Sequence, residues 1–206
     1  QVFIEKNAGV KSGYSDDNFR SVGVEVLNTA ADVYGKAEMI VKVKEPIKAD
    51  LDLLRKEHLL FCYLHLAALP ELTETLKKIG LTAVAFETVE EDGRLPLLAP
   101  MSDIAGRLSI QVGTHLLHQP MGGKGILLGG VPAAKRGRVV IVGAGVAGGA
   151  SATVAAGMGA QVTVFDISRD RMERMRDLGP NVTALYPHAA DIAEAVKYAE
   201  IGRAHV

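Results

Sequence analysis

The chain has 206 residues, of which 48% are apolar, and its 23 basic and 24 acidic residues leave a net charge of −1. This apolar content can fill a core, and the balanced charge argues against a general binder of nucleic acids. The single cysteine, Cys62, excludes an internal disulfide framework, and the lack of an apolar run of about 18 residues argues against a membrane span. No secretory signal opens the sequence, so we expect a cytoplasmic protein.

Short β-branched runs alternate with helical periodicity along the chain, which predicts an α/β protein with parallel sheets. In the first half, the predicted strands cover residues 2–5, 24–27, 39–43, 59–64 and 82–86. The predicted helices cover residues 16–22, 30–35, 51–56 and 70–79. Ser15 is a plausible N-cap for the first of these helices, and Gly80 ends the last.

The second half begins with apolar residues at every fourth position, and this spacing predicts a long helix over residues 101–117. The apolar positions are Ile104, Leu108, Val112 and Leu116. The glycine-rich residues 120–131 are interpreted as a loop that leads to a new domain. Beyond it, strands are predicted over residues 138–142, 161–165 and 182–186, and helices over residues 146–158, 169–178 and 191–198.

The sequence GAGVAG follows a predicted strand and opens a predicted helix, as a dinucleotide-binding fingerprint requires. Gly143 permits the tight turn, Gly145 lets the backbone approach a pyrophosphate, and Gly148 lets the helix pack against the strand. Asp166 ends the next predicted strand, where a carboxylate accepts hydrogen bonds from ribose hydroxyls and repels a 2′-phosphate. NAD is therefore favoured over NADP, although Arg171 could soften that preference. The alternative is a doubly wound domain without a cofactor.

Two candidate groups lie near the carboxyl ends of predicted strands, the edge where open α/β sheets bind ligands. His65 ends an apolar run, where an imidazole can exchange protons near neutral pH; the alternative is a core histidine whose ring nitrogens bind backbone groups. Strand alternation places Lys42 and Lys44 on one face, where they could bind a carboxylate or be solvated edge charges. Lys44 is favoured because it lies nearer the carboxyl end.

Several other features allow a simpler interpretation. The glycines around Lys124 lack the ending of a P-loop, and His115 with His118 lacks a second ligand pair for a metal. Cys62 lies in an apolar run and is interpreted as a core residue rather than a nucleophile. Ser102 either caps the long helix or contacts a phosphate or ribose.

Five segments in order along the chain resemble the alanine dehydrogenase family: VKVKEP (41–46), FCYLHLAA (61–68), AFETVEEDGRLPLLAPMSDIAGR (85–107), GGKGILLGGVP (122–132) and VVIVGAGVAG (139–148). The resemblance implies reversible NAD-dependent oxidative deamination of L-alanine to pyruvate and ammonia, by a homo-hexamer of two-domain subunits. It assigns proton exchange to His65 and substrate binding to Lys44. It assigns cofactor contacts to Ser102, Asp166, Arg171 and the glycines of GAGVAG, and it implies no metal, nucleic acid or membrane partner.

The resemblance further implies two Rossmann-like doubly wound domains, both incomplete. Residues 1–98 form a substrate domain without its first strand–helix unit and its C-terminal return, and residues 99–200 form the first half of an NAD-binding domain. The family's substrate-binding arginine and catalytic aspartate fall outside the chain, so we expect the chain alone to be inactive. Residues 201–206 (IGRAHV) are expected to be non-native, because ATC GGA AGA GCA CAC GTC, a string within a common sequencing adapter, encodes them.

Two alternatives stay open. One is the NAD-binding subunit of a proton-translocating transhydrogenase, which needs neither the lysine nor the histidine of an alanine site. The other is a non-catalytic nucleotide-binding module. The matches in LHLAA and VKVKEP argue against the first of these.

Overall fold

The computed structural model describes residues 1–204 and divides the chain into two compact units, Gln1–Leu97 (unit 1) and a second that begins at Leu98 (unit 2). Helices alternate with strands in both units, and the neighbouring strands of each sheet are parallel. The expectation of a Rossmann-like α/β fold is therefore confirmed. Within the described residues, no helix is long and apolar enough to cross a membrane.

The elements of unit 1 are β1 (Phe3–Glu5), α1 (Asp16–Ser21), β2 (Glu25–Leu27), α2 (Ala30–Lys36), β3 (Met39–Val41), α3 (Lys48–Leu51), β4 (Leu59–Cys62), α4 (Pro70–Ile79) and β5 (Thr82–Ala85). The strands form two parallel sheets, β1–β2 and β3–β4–β5. Leu60 at the centre of β4 is fully buried and lies opposite Ile40 of β3 and Ala83 of β5. A cavity of about 750 Å³ is lined by residues of β1 and β3.

Local signals determined several helix boundaries in unit 1. Ser15 caps α1 through a capping box with Asn18, as predicted, and α4 ends at Gly80, which has a φ of 78°. Helix α3, in contrast, lies at Lys48–Leu51 and not at residues 51–56. The prediction was displaced because the Asp50 carboxylate accepts the backbone N–H of Ile47 and starts the helix there.

Cys62 lies at the end of β4 and is fully buried in the core of unit 1. Burial raises the pKa of its thiol to about 11. Since the thiolate is the reactive form, this environment makes the side chain inert. The position agrees with the interpretation of Cys62 as a core residue.

We expect the Cys62 thiol of the native protein to resist alkylation by iodoacetamide at neutral pH, because it is both buried and protonated. Peptide mass mapping over time in buffer and in denaturant tests this expectation. In denaturant, the peptide that carries Cys62 should gain its adduct rapidly. Equal rates under the two conditions would contradict the buried position.

The elements of unit 2 are α5 (Ala99–Leu117), β6 (Arg138–Val142), α6 (Val146–Gly157), β7 (Gln161–Phe165), α7 (Arg169–Arg176), β8 (Val182–Leu185), α8 (Ala189–Lys197) and β9 (Ile201–Ala204). The strands form one four-stranded parallel sheet in the order β8-β7-β6-β9. Strands β6 and β7 have the predicted bounds, whereas β9 was not predicted as a strand.

Strand β9 contains four of the six residues that we expect to be non-native, and residues 205–206 lie outside the described part. Ile201 is buried, and β9 pairs with β6 along its length. The β-branched Ile201 at the start of the segment favours a strand where a sheet edge is available. The codons of residues 201–206 in the nucleotide sequence test whether these residues are native.

Helix α5 packs against α6 through small residues. A Cβ on Gly106 would lie 2.2 Å from the carbonyl oxygen of Ala147, so only glycine allows the two helices to approach this closely. The hydroxyl of Ser151 donates to the carbonyl of Gly106 at 2.9 Å. The opposite face of α5 carries the apolar repeat that predicted the helix, and all of its members are exposed: Ile104, Leu108, Val112 and Leu116.

Candidate functional site

The glycine-rich loop between β6 and α6 is built as the fingerprint requires. Gly143 has a φ of 95°, in the left-handed region that favours glycine. A Cβ on Gly148 would lie 1.7 Å from the carbonyl oxygen of Gly143. The turn and the close packing of α6 on it therefore need glycine at both positions.

The N-terminus of α6 offers backbone donors to a ligand. Gly145 is the N-cap, and no side chain caps the helix. Within the described residues, the N–H groups of Val146 and Ala147 have no hydrogen-bond partner, and nothing lies within 4 Å of the position that a Cβ on Gly145 would take. Free N–H groups, the helix dipole and open space fit the diphosphate of a dinucleotide.

Asp166 follows β7 and is buried, with 6% of its surface exposed. Its Oδ2 accepts the backbone N–H of Ala144 at 2.6 Å, and its Oδ1 accepts that of Ser168 at 2.7 Å. Arg171 on α7 places Nη1 3.9 Å from Oδ2. The carboxylate therefore fixes the glycine-rich loop, a function that the sequence did not indicate. Contact with a ribose stays a prediction for Asp166.

Ser102 does not cap α5. The helix begins at Ala99, after Leu98 as the N-cap residue, so Ser102 lies within the first turns. The prediction placed the start two residues too late, because Pro100 is compatible with the first turn of a helix and was not counted within it. Contact with a phosphate or ribose stays a prediction for Ser102.

His65 lies just beyond β4 in a turn with a φ of 48°, which a residue other than glycine seldom adopts. The Glu87 carboxylate holds this turn: it accepts the N–H of His65 at 2.6 Å and that of Leu64 at 3.2 Å. The His65 side chain is 44% exposed, and its Nδ1 lies 3.3 Å from Oε2 of Glu45. Neither ring nitrogen binds the described backbone, so His65 is not a core histidine.

His58 is the core histidine of unit 1, and sequence reasoning did not identify it. It is 2% exposed. Its Nδ1 accepts the backbone N–H of Arg55, and its Nε2 therefore donates to the carbonyl of Tyr34, both at 3.0 Å. Both ring nitrogens of His58 are satisfied by the backbone, whereas His65 keeps Nε2 available to a ligand.

Lys42 and Lys44 have different environments. Backbone hydrogen bonds to β4 continue beyond β3 as far as Val43, yet the Lys42 ammonium is bound by Asp50. The Tyr34 hydroxyl also donates to Asp50, at 2.9 Å. Lys44 is exposed, and no side-chain hydrogen bond or ion pair involves it within the described residues. Lys42 is therefore structural, whereas substrate binding stays a prediction for Lys44.

We expect Lys42→Met to cost about 1–3 kcal/mol of unfolding free energy, because it leaves the half-buried Asp50 without its cation. Lys44→Met, at an exposed position, should change stability by less than about 0.5 kcal/mol. Urea unfolding of the two variants measures the difference, and equal losses would contradict the separation of roles.

Burial opposes ionisation of Asp50, but Lys42, the Ile47 N–H and Tyr34 together lower its pKa. The stabilisation is therefore full above the ordinary pKa of the carboxyl group and is lost as pH falls through the lowered value.

The candidate residues of unit 1 meet at one edge of the sheet. Lys44 and Glu45 follow β3, His65 follows β4, and Glu87 follows β5. The carboxyl ends of parallel strands form the edge where α/β sheets bind ligands. The sequence analysis did not single out Glu87, although its place directly after a predicted strand is the same signal that identified His65. Within the described residues, no group of three or more metal-ligating side chains is found.

Unit 2 has a parallel sheet whose strand–turn–helix segment carries GAGVAG, which defines the class of Rossmann-like nucleotide-binding domains. The family model "Alanine dehydrogenase/PNT, N-terminal domain" matches residues 1–105, and "Alanine dehydrogenase/PNT, C-terminal domain" matches residues 109–202. The chain belongs to the alanine dehydrogenase/PNT family.

Relatives and solved structures agree with this family. The alanine dehydrogenase of Methanococcus maripaludis is 47% identical over 98% of this chain and 54% of its own length. A solved L-alanine dehydrogenase is 50% identical with a TM-score of 0.87, over 98% of this chain and 56% of its own. A transhydrogenase from Sinorhizobium meliloti shares the fold, with a TM-score of 0.80 at 23% identity, over 100% of this chain and 60% of its own. The chain thus spans about half the length of the curated relatives that it matches.

Proposed function

We propose that the protein carrying this sequence catalyses the reversible NAD-dependent oxidative deamination of L-alanine to pyruvate and ammonia. The observation that carries the proposal is the exposed His65, held in a left-handed turn by Glu87 beside Glu45 and at the same sheet edge as Lys44. Relatives 43–47% identical over 98% of the chain are named alanine dehydrogenase and support the same reaction.

Unit 2 would hold the dinucleotide. The loop from Gly143 to Gly148 leaves space for the diphosphate, and the free N–H groups at the start of α6 donate to it. Asp166 and Arg171 would face the adenosine ribose, and the negative charge of Asp166 favours NAD. When bound, NAD accepts the hydride from Cα of alanine.

Unit 1 would perform the proton transfers. Loss of the hydride from Cα leaves an imine of alanine, to which water adds. His65 takes a proton from this water and returns a proton to the departing amine. An imidazole suits both steps because it exchanges protons near neutral pH. The exposed Lys44 ammonium binds the substrate oxygens and stabilises the negative charge that develops on them. Unlike Lys42, it makes no ion pair within the described residues.

A homo-oligomer, which we propose to be a hexamer, is supported by the apolar face of α5. Ile104, Leu108, Val112 and Leu116 are each about half exposed along one side of a 19-residue helix. A contiguous exposed apolar stripe of this kind marks an interaction surface.

The test is a steady-state assay of a full-length protein carrying this sequence, with L-alanine and NAD in one direction and pyruvate, ammonium and NADH in the other. We expect turnover in both directions and none with D-alanine. Hydride exchange between two dinucleotides without alanine would support the transhydrogenase alternative, and dinucleotide binding without any turnover would support a non-catalytic module. The 206-residue chain alone is expected to be inactive, since it spans about half of its relatives.

A further inference from the structure

The surroundings of the His65 ring are asymmetric. Nδ1 lies 3.3 Å from Oε2 of Glu45, while Nε2 has no partner among the described residues. The Tyr63 ring is stacked beside the imidazole, with the ring centres 6.0 Å apart and the planes 21° apart. One ring nitrogen is thus directed towards a carboxylate and the other is left for a ligand.

The Glu45 oxygen that faces the ring is itself unusual. Oε2 is shielded from solvent, yet no donor within the described residues makes a hydrogen bond to it with good geometry. A buried carboxylate oxygen seeks a donor, and the Nδ1–H of His65 is at ion-pair distance. Hydrogen bonds of this kind are often long in a ligand-free site and shorten when substrate binds.

Glu45 stays ionised at neutral pH. Its own backbone N–H, the imidazole of His65 and the neighbouring Lys44 ammonium outweigh the effect of burial and lower the pKa of its carboxyl group. Among the described residues, four charged or titratable groups surround His65. Glu45 and Lys44 come from the segment after β3, and Tyr63 comes from the end of β4. Glu87, after β5, binds the backbone of His65.

We propose that Glu45 is a positioning residue that holds the proton on Nδ1 of His65 and thereby reserves Nε2 for proton exchange with the substrate. A carboxylate that accepts from one ring nitrogen fixes the tautomer and the ring orientation, and it stabilises the imidazolium that forms during a reaction. The pairing stands on the geometry of unit 1, and its catalytic consequence rests on the function proposed above.

The pairing can be tested without turnover. Diethyl pyrocarbonate modifies the unprotonated imidazole, so its rate at His65, followed by peptide mass mapping across pH, reports the charge of the ring. In the full-length protein, we expect Glu45→Gln to move the midpoint of the modification at His65 to lower pH, because the carboxylate that interacts with the imidazole loses its negative charge. The exposed His115 of the same molecules serves as the internal reference and should not change.

The catalytic consequence is tested by alanine oxidation with the same proteins. We expect Glu45→Gln to lower kcat about 10–100-fold and to move the acid limb of the pH profile to lower pH, with KM for NAD unchanged. Glu45→Asp keeps the charge and should recover part of kcat. Glu74→Gln, which breaks an exposed ion pair with Lys77 on α4, is the matched control and should behave like the unaltered protein.

The outcomes separate the two proposals. An unchanged modification midpoint in both a folded Glu45→Gln protein and a Glu45→Ala protein would overturn the pairing, whatever the activity. A shifted midpoint with unaltered kcat would overturn the positioning role. A shifted midpoint in a protein that never oxidises alanine would support the pairing and overturn the proposed function.

Discussion

Replacing His65 with alanine is expected to lower kcat for alanine oxidation by about 10²–10⁴-fold in the full-length protein, the range associated with loss of a general acid–base group. His65 is the exposed histidine at the sheet edge where the candidate residues of unit 1 meet, and its Nε2 has no partner among the described residues. Steady-state kinetics with L-alanine and NAD measures the loss. The Kd for NAD should not change, because the glycine-rich loop lies in unit 2.

The matched control is His115→Ala, which removes an exposed imidazole from α5 and should retain full activity. Thermal unfolding of both variants checks that His65→Ala loses rate and not structure. A His65→Ala protein that oxidises alanine at the unaltered rate would remove the role assigned to this residue.

Gly148→Ala should damage the dinucleotide site through the fold of its loop. The added methyl group would lie 1.7 Å from the carbonyl oxygen of Gly143 and 2.8 Å from the carbonyl carbon, both rigid backbone atoms. We expect a loss of about 1–3 kcal/mol in unfolding free energy, as for an overpacked core. We also expect the Kd for NAD to rise at least about tenfold, equivalent to 1.4 kcal/mol. Urea unfolding and isothermal titration measure the two effects.

Gly145→Ala separates binding from folding. Gly145 has a φ of −66°, which alanine adopts readily, and nothing lies within 4 Å of its Cβ position. Stability should therefore change by less than about 0.5 kcal/mol, while the methyl group enters the space of the diphosphate and weakens NAD binding. If both variants bound NAD like the unaltered protein, the loop would not be the cofactor site.

The sequence predicted best where one local pattern controls the structure. Strands β6 and β7 and helix α4 have the predicted bounds, because β-branched runs or an amphipathic repeat lie between glycine and proline signals. The GAGVAG loop was predicted because strand, turn and helix follow one another directly in the chain. In these cases the information lies within about ten residues.

The sequence failed where distant residues compete for the same backbone or side chain. Strand β4 was predicted to reach residue 64 but ends at Cys62, because Glu87, more than twenty residues away, takes the N–H groups of Leu64 and His65. The apolar repeat on α5 identified the helix but not its packing face, which depends on Gly106 meeting α6. Contacts of this kind follow from the folded arrangement and not from periodicity.

Asp166 links cofactor preference to loop architecture. Its two oxygens tie down the N–H groups of Ala144 and Ser168, so the residue that would reject a 2′-phosphate also holds the glycine-rich turn in place. A lysine or arginine introduced here to accommodate NADP has no acceptor and would release both donors. Redesign of the proposed NAD site for the phosphorylated coenzyme therefore requires at least a second substitution that supplies a new acceptor to the Ala144 N–H.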